Sequence, residues 1–81
     1  MGNKNSDIYY LTLGNNPHIE MEGNKTFTLN GKFSIVEYTK EEIKIKTSGL
    51  FIDILGDNLV ITFATDTNIF VVGKILSVEF I

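Results

Sequence analysis

His18 is the only histidine of this 81-residue chain, and Glu20 lies two residues after it, on the same face if the segment is a strand. Such a pair could relay a proton or begin a metal site, but either chemistry needs further groups converging from other elements. Here Pro17 precedes the pair and the surrounding phase points outward, so the pair reads as surface. Asp53, Asp57 and Asp66 are the next candidates, with Asp66-Thr67-Asn68 resembling the start of a calcium loop. That fragment lacks the glycine and the bidentate glutamate that complete such a loop. Turn chemistry accounts better for Asp57, Asn58, Asp66 and Asn68, because Asx side chains satisfy nearby backbone groups. The four serines have no histidine and acid arranged around them, which leaves nucleophilic catalysis without support. The sequence thus offers no catalytic, cofactor-binding or metal-binding set, and the expectation is a protein that is not an enzyme and needs no cofactor.

The elements that would position any surface are set by the stretch from Glu37 to Phe63, where apolar and polar residues alternate with a period of two. A four-residue loop at Thr39–Glu42 sets Tyr38 opposite Ile43, Val36 opposite Ile45 and Glu37 opposite Lys44. A two-residue loop at Ser48-Gly49 sets Ile45 opposite Ile52, Ile43 opposite Ile54 and Lys44 opposite Asp53. A third hairpin closing over Leu55–Asn58 would set Ile54 opposite Leu59, Ile52 opposite Ile61 and Leu50 opposite Phe63. The three turns agree on a four-stranded antiparallel meander whose buried face is Val36, Tyr38, Ile43, Ile45, Leu50, Ile52, Ile54, Leu59, Ile61 and Phe63.

Upstream, residues 1–7 read as a disordered polar tail and Ile8–Leu13 as a first strand. A strand at His18–Met21 and another at Thr26–Leu29 follow, separated by Gly23-Asn24. Asn30-Gly31 favours a tight hairpin, but parity requires a three-residue loop if Phe27 or Leu29 is to face Phe33, with Gly31 at positive φ. Downstream, Ala64–Asn68 is a polar loop, and Ile69–Phe80 is a long apolar strand interrupted by Gly73. A bulge at Gly73 would let the chain change layers, with Ile75–Phe80 pairing to the N-terminal strands. No segment has helical spacing long enough to cover the sheet. The expected fold is therefore all-β with no substantial helix, a small antiparallel β-sandwich or flattened barrel formed by one domain over residues 8–81.

Composition narrows the setting. A domain of this length buries only about 60–65% of the surface its unfolded chain exposes, so its core is thin. No apolar run reaches the ~18 residues of a membrane helix, and the N-terminus lacks the apolar centre of a signal peptide, so a cytoplasmic protein without membrane insertion is expected. There is no cysteine, and stability must come from packing. The net charge is −3, and all seven basic residues are lysines. Nucleic-acid recognition relies on arginine and a basic face, so a nucleic-acid partner is not expected.

The order of these features resembles the YabP/YqfC family of sporulation proteins. The matching residues are the Leu29-Asn30-Gly31 turn, Ile35 and Tyr38, Ile43 and Ile45 with Thr47 and Gly49, and Leu50 and Ile52. Gly56, Asn58, Leu59 and Ile61 follow, then Gly73, Ile75 and the C-terminal SVEFI. With NPHIEMEG upstream, the chain is most similar to the YqfC-like branch, although Lys32-Phe33-Ser34 replaces a more basic, glycine-containing loop. The resemblance implies a non-enzymatic protein of endospore-forming Firmicutes, made in the mother cell during sporulation. It also implies a role in spore envelope (coat and cortex) formation through protein–protein interaction, with a membrane sporulation protein as a partner.

One surface stands out from the residues themselves. The outer face of the meander should be polar, yet it carries Phe51, Leu55 and Val60 among Glu37, Lys44, Lys46, Asp53 and Thr62. These three side chains are either covered or singly exposed, which is ordinary, or they form an interface for a partner or for a homo-oligomer. The alternative from another class is a small β-barrel that binds a ligand or single-stranded nucleic acid, for which Lys44 and Lys46 beside Phe51 are the only support.

Overall fold

The computed structural model describes residues 17–81, and the expected tail at 1–7 and strand at 8–13 lie outside them. Six strands follow in order: β1 (His18–Glu22), β2 (Thr26–Asn30), β3 (Phe33–Tyr38), β4 (Glu42–Thr47), β5 (Phe51–Ala64) and β6 (Asn68–Phe80). Every pairing is antiparallel, and the strands form one sheet in the order β1-β2-β6-β5-β4-β3. The all-β expectation holds, and no helix occurs among the described residues.

Local pattern fixes the two outer hairpins. Gly23, at φ 56°, turns β1 into β2, where Ile19 faces Leu29 and Met21 faces Phe27. Between β4 and β5 the expected register is observed: Ile43 faces Ile54, Lys44 faces Asp53 and Ile45 faces Ile52. Thr47 holds that turn, its hydroxyl donating to the Leu50 carbonyl (3.0 Å) and accepting from the Leu50 amide (3.2 Å). Between β3 and β4, Tyr38 faces Ile43 and Glu37 faces Lys44, also as expected. The ladder then slips, and Ile35 rather than Val36 lies opposite Ile45. Val36 is bulged out and 51% exposed, which corrects its assignment to the core. Both residues are apolar, so alternation could not show which of them faces inward.

The third hairpin does not form. β5 continues through Leu55–Asn58 and pairs with β6 along its length, so the fourth strand of the meander is β6 and Leu59–Phe63 is the far half of β5. Gly56, Asp57 and Asn58 make a corner instead of a turn. Asn58 sits at φ 52° and Gly73 at φ 144°, and Asn58-Leu59 on β5 is opposed by Gly73 alone on β6. Two loops seal the corner. The Lys40 carbonyl accepts from the Leu59 amide (2.8 Å) and the Glu41 carbonyl from Gly56 (3.0 Å), while Asn24 accepts from Ile75 (2.8 Å) and Lys25 from Gly73 (3.1 Å). A local Gly-Asp-Asn turn would leave these groups and two long apolar strands unpaired, and continuous pairing wins. Because of the corner, Phe63 is 57% exposed and Tyr38 half-exposed, where both were expected inside.

Gly73 marks the expected bend, but the strand halves are used in the opposite way. The first half of β6 pairs with β2, Phe27 facing Val71 and Leu29 facing Ile69, while the second half pairs only with β5. Nor does β2 pair with β3. Two residues, Gly31 and Lys32, carry the chain from β2 to β3, which lie four strand steps apart in the sheet. Three peptide units reach about 11 Å, whereas four steps across a flat sheet span about 19 Å. The sheet therefore cannot be flat between β2 and β3, and the irregular pairing around Gly56 and Gly73 is where β5 and β6 bend. The buried side chains agree: Phe27, Leu29, Ile69 and Val71 of one half and Ile43, Ile45, Ile52 and Ile54 of the other form a single cluster with Leu59 and Ile75.

Candidate outer-face interaction site

The half of the sheet made by β3, β4 and the flanking halves of β5 and β6 turns one face inward and the other to solvent. On the outer face the registers stack residues in rows. Ser34, Lys46 and Phe51 form one row, and Phe51 exchanges both backbone hydrogen bonds with Ile81 (2.9 and 3.2 Å). Glu37, Lys44, Asp53 and Glu79 form the next, followed by Glu42, Leu55 and Ser77.

The middle row carries three carboxylates and one lysine, and Glu42 stands diagonally beside Asp53. Asp53 is only 8% exposed, and its Oδ1 has no hydrogen-bond partner. A hydrogen bond to the Asp53 side chain holds the Glu42 carboxyl above its ordinary range, with desolvation and the Asp53 charge acting the same way and Lys44 opposing them. The pair lies on an outer sheet face with no nucleophile or electrophile beside it. Among the described residues no group of His, Asp or Glu is placed to hold a metal ion.

Phe51 is 36% exposed, and the Lys46 ammonium lies 5.9 Å from the centre of its ring, within cation–π range. Leu55 is four residues along on the same face, with Asp53 between them, and is half-buried. Val60 is 45% exposed but belongs to the other half of the sheet, beyond the corner, where it faces Val72. The fold therefore keeps Phe51 and Leu55 on one face, with the Asp53 row between them, and separates Val60 from both. It adds Ile81, which is exposed beside Phe51. Ile81 and the Glu42–Asp53 pair were missed because the terminal residue had no strand assigned to it and Glu42 was read as loop. Neither lysine makes a basic groove: Lys44 faces Glu37 on one side and Asp53 on the other.

The remaining sites read as surface. His18 Nε2 approaches Glu20 Oε2 at 3.3 Å, with both side chains about 70% exposed. Thr65 Oγ1 accepts from the Thr67 amide (3.3 Å) in the loop that holds Asp66 and Thr67. An open groove of about 740 Å³ runs between the β5–β6 loop and the near ends of β3 and β4, lined by Phe33, Ile35, Thr47 and Ala64 with Asp66 as its only carboxylate. No helix among the described residues is long and apolar enough to cross a membrane.

The family model for the YabP family matches residues 14–81, without distinguishing the YqfC-like branch. No curated protein and no solved structure matches the chain.

Proposed function

The chain belongs to the YabP family, which suggests a sporulation-related role, and from that premise we propose that it is a non-enzymatic protein of the mother-cell cytoplasm acting in spore envelope formation. Its work is protein–protein contact, and its partner is a sporulation protein of the mother-cell membrane. The observation that carries this reading is Phe51, an aromatic ring on an open sheet face, set between Lys46 and Ile81 and beside a row rich in carboxylates. A flat apolar centre with a charged margin is the usual make-up of a protein interface. Aromatic residues at such a centre carry a disproportionate share of binding energy.

Co-purification tests it. Tagged protein from sporulating cells should recover a membrane protein specific to sporulation, and Phe51→Lys should lower that recovery at least tenfold while the circular dichroism spectrum stays unchanged. Equal recovery with Phe51→Lys, or no membrane partner for either form, contradicts the proposal.

A further inference from the structure

We propose that β3 is a docking strand for a second copy of this chain, the two β3 strands pairing antiparallel about a twofold axis between Ile35 and Val36. Among the described residues β3 is an edge strand, paired only with β4, and Ser34 through Tyr38 are all exposed. The opposite edge, β1, is protected by the exposed charges of Glu20 and Glu22, which discourage strand addition. β3 instead presents Ile35, Val36 and Tyr38, each between 43% and 51% exposed.

The sequence of β3 is complementary to itself. In this register Phe33 of one copy lies opposite Tyr38 of the other, Ser34 opposite Glu37 and Ile35 opposite Val36, so apolar residues meet apolar and polar residues meet polar. The bulge makes this work. Residues 33 and 35 face the core before it, and Tyr38 faces the core after it, so Phe33 and Tyr38 lie on one side of the ribbon while Ser34 and Glu37 lie on the other. A regular strand from another protein would fall one residue out of step at Val36. A second copy carries the same extra residue and stays in register.

Charge agrees as well. Across the joined outer face, each Glu37 would lie between Lys44 of its own chain and, beyond Ser34, Lys46 of the other, with no like charges directly opposed. Phe51 is two strands away from β3, so the surface proposed for the partner stays free.

Light scattering combined with size exclusion reads the association directly. The wild-type chain should rise with concentration from 9.1 kDa to twice that mass. Val36→Lys, placed on a bulged and exposed residue, should remain at 9.1 kDa with an unchanged circular dichroism spectrum. Cysteine pairs then test the register against a background free of cysteine. Opposed residues of a ladder stand about 5 Å apart, within disulfide reach. Positions three residues away stand about 10 Å apart, outside it. Oxidised Ser34→Cys and Glu37→Cys proteins should therefore cross-link when mixed, and at least tenfold less when oxidised separately. A chain that stays at 9.1 kDa at millimolar concentration, a dimer that survives Val36→Lys, or cross-links equal in mixed and separate samples would each overturn the proposal.

Discussion

Glycine 73 and aspartate 53 show how single residues set this fold and its surface. A Cβ on Gly73 would lie 2.7 Å from the Asn58 carbonyl oxygen and 2.9 Å from the Leu59 Cα, at a φ of +144° that side chains rarely adopt. Gly73→Ala should therefore cost about 2–4 kcal/mol, seen as a fall in melting temperature of at least about 10 °C. A melting temperature within a degree or two of wild type would show that the corner is not under this constraint. Gly73 was legible in the sequence as a bend, because a lone glycine in a long apolar strand has few other uses. Asp53 was legible only as an outward residue opposite Lys44; its burial beside Glu42 depends on β4 beginning one residue earlier than the loop reading allowed. The raised Glu42 carboxyl means that the folded chain holds this proton more tightly than the unfolded chain does. Its contribution to stability is therefore full below the ordinary value of 4.5 and is lost as pH rises from there through the raised value. Asp53→Asn removes the main cause, so its melting temperature should fall less than that of wild type as pH rises from about 4 to neutral. A difference between the two proteins that stays constant across that range would contradict the account.

Individual strands were legible where a turn and a phase agreed. β1, β2 and β4 begin and end close to their breakers, and the β4–β5 register was readable because Thr47, Ser48 and Gly49 make a turn whose parity matches the apolar positions. β5 was not legible as one strand. Gly56, Asp57 and Asn58 carry the same residues whether the chain reverses or bends, and the choice rests on β6, whose pairing partner lies far away in sequence. Tyr38 shows a second long-range tie: its hydroxyl accepts from the Ile61 amide (2.9 Å) and so joins β3 to the far half of β5. Tyr38→Phe should lower stability by about 0.5–1.5 kcal/mol in urea unfolding with no change in the slope. No loss would mean that water replaces the hydroxyl without cost. Thr47→Ala removes a buried hydroxyl bonded to both the amide and the carbonyl of Leu50 across its turn, and a loss of about 1–2 kcal/mol is expected.

For the molecule as a whole, folding one sheet over itself solves the problem of a chain too short for two separate layers. The long β5–β6 ribbon supplies both halves, and the hairpins β1–β2 and β3–β4 widen opposite ends of it. Composition and alternation indicated an all-β chain, but not how its halves are joined, since that follows from the two-residue passage between β2 and β3. The same economy leaves apolar groups outside the core, among them Phe51 and Ile81 on the outer face and the β3 edge. Membership of the YabP family suggests sporulation as the setting in which such surfaces are used. The most direct measurement is the yield of heat- and lysozyme-resistant spores from the native host carrying wild-type, deleted or Phe51→Lys alleles. The account predicts normal vegetative growth in all three, with resistant spores reduced at least tenfold by the deletion and to a similar degree by Phe51→Lys at wild-type protein level. Full spore resistance in both mutants would contradict it.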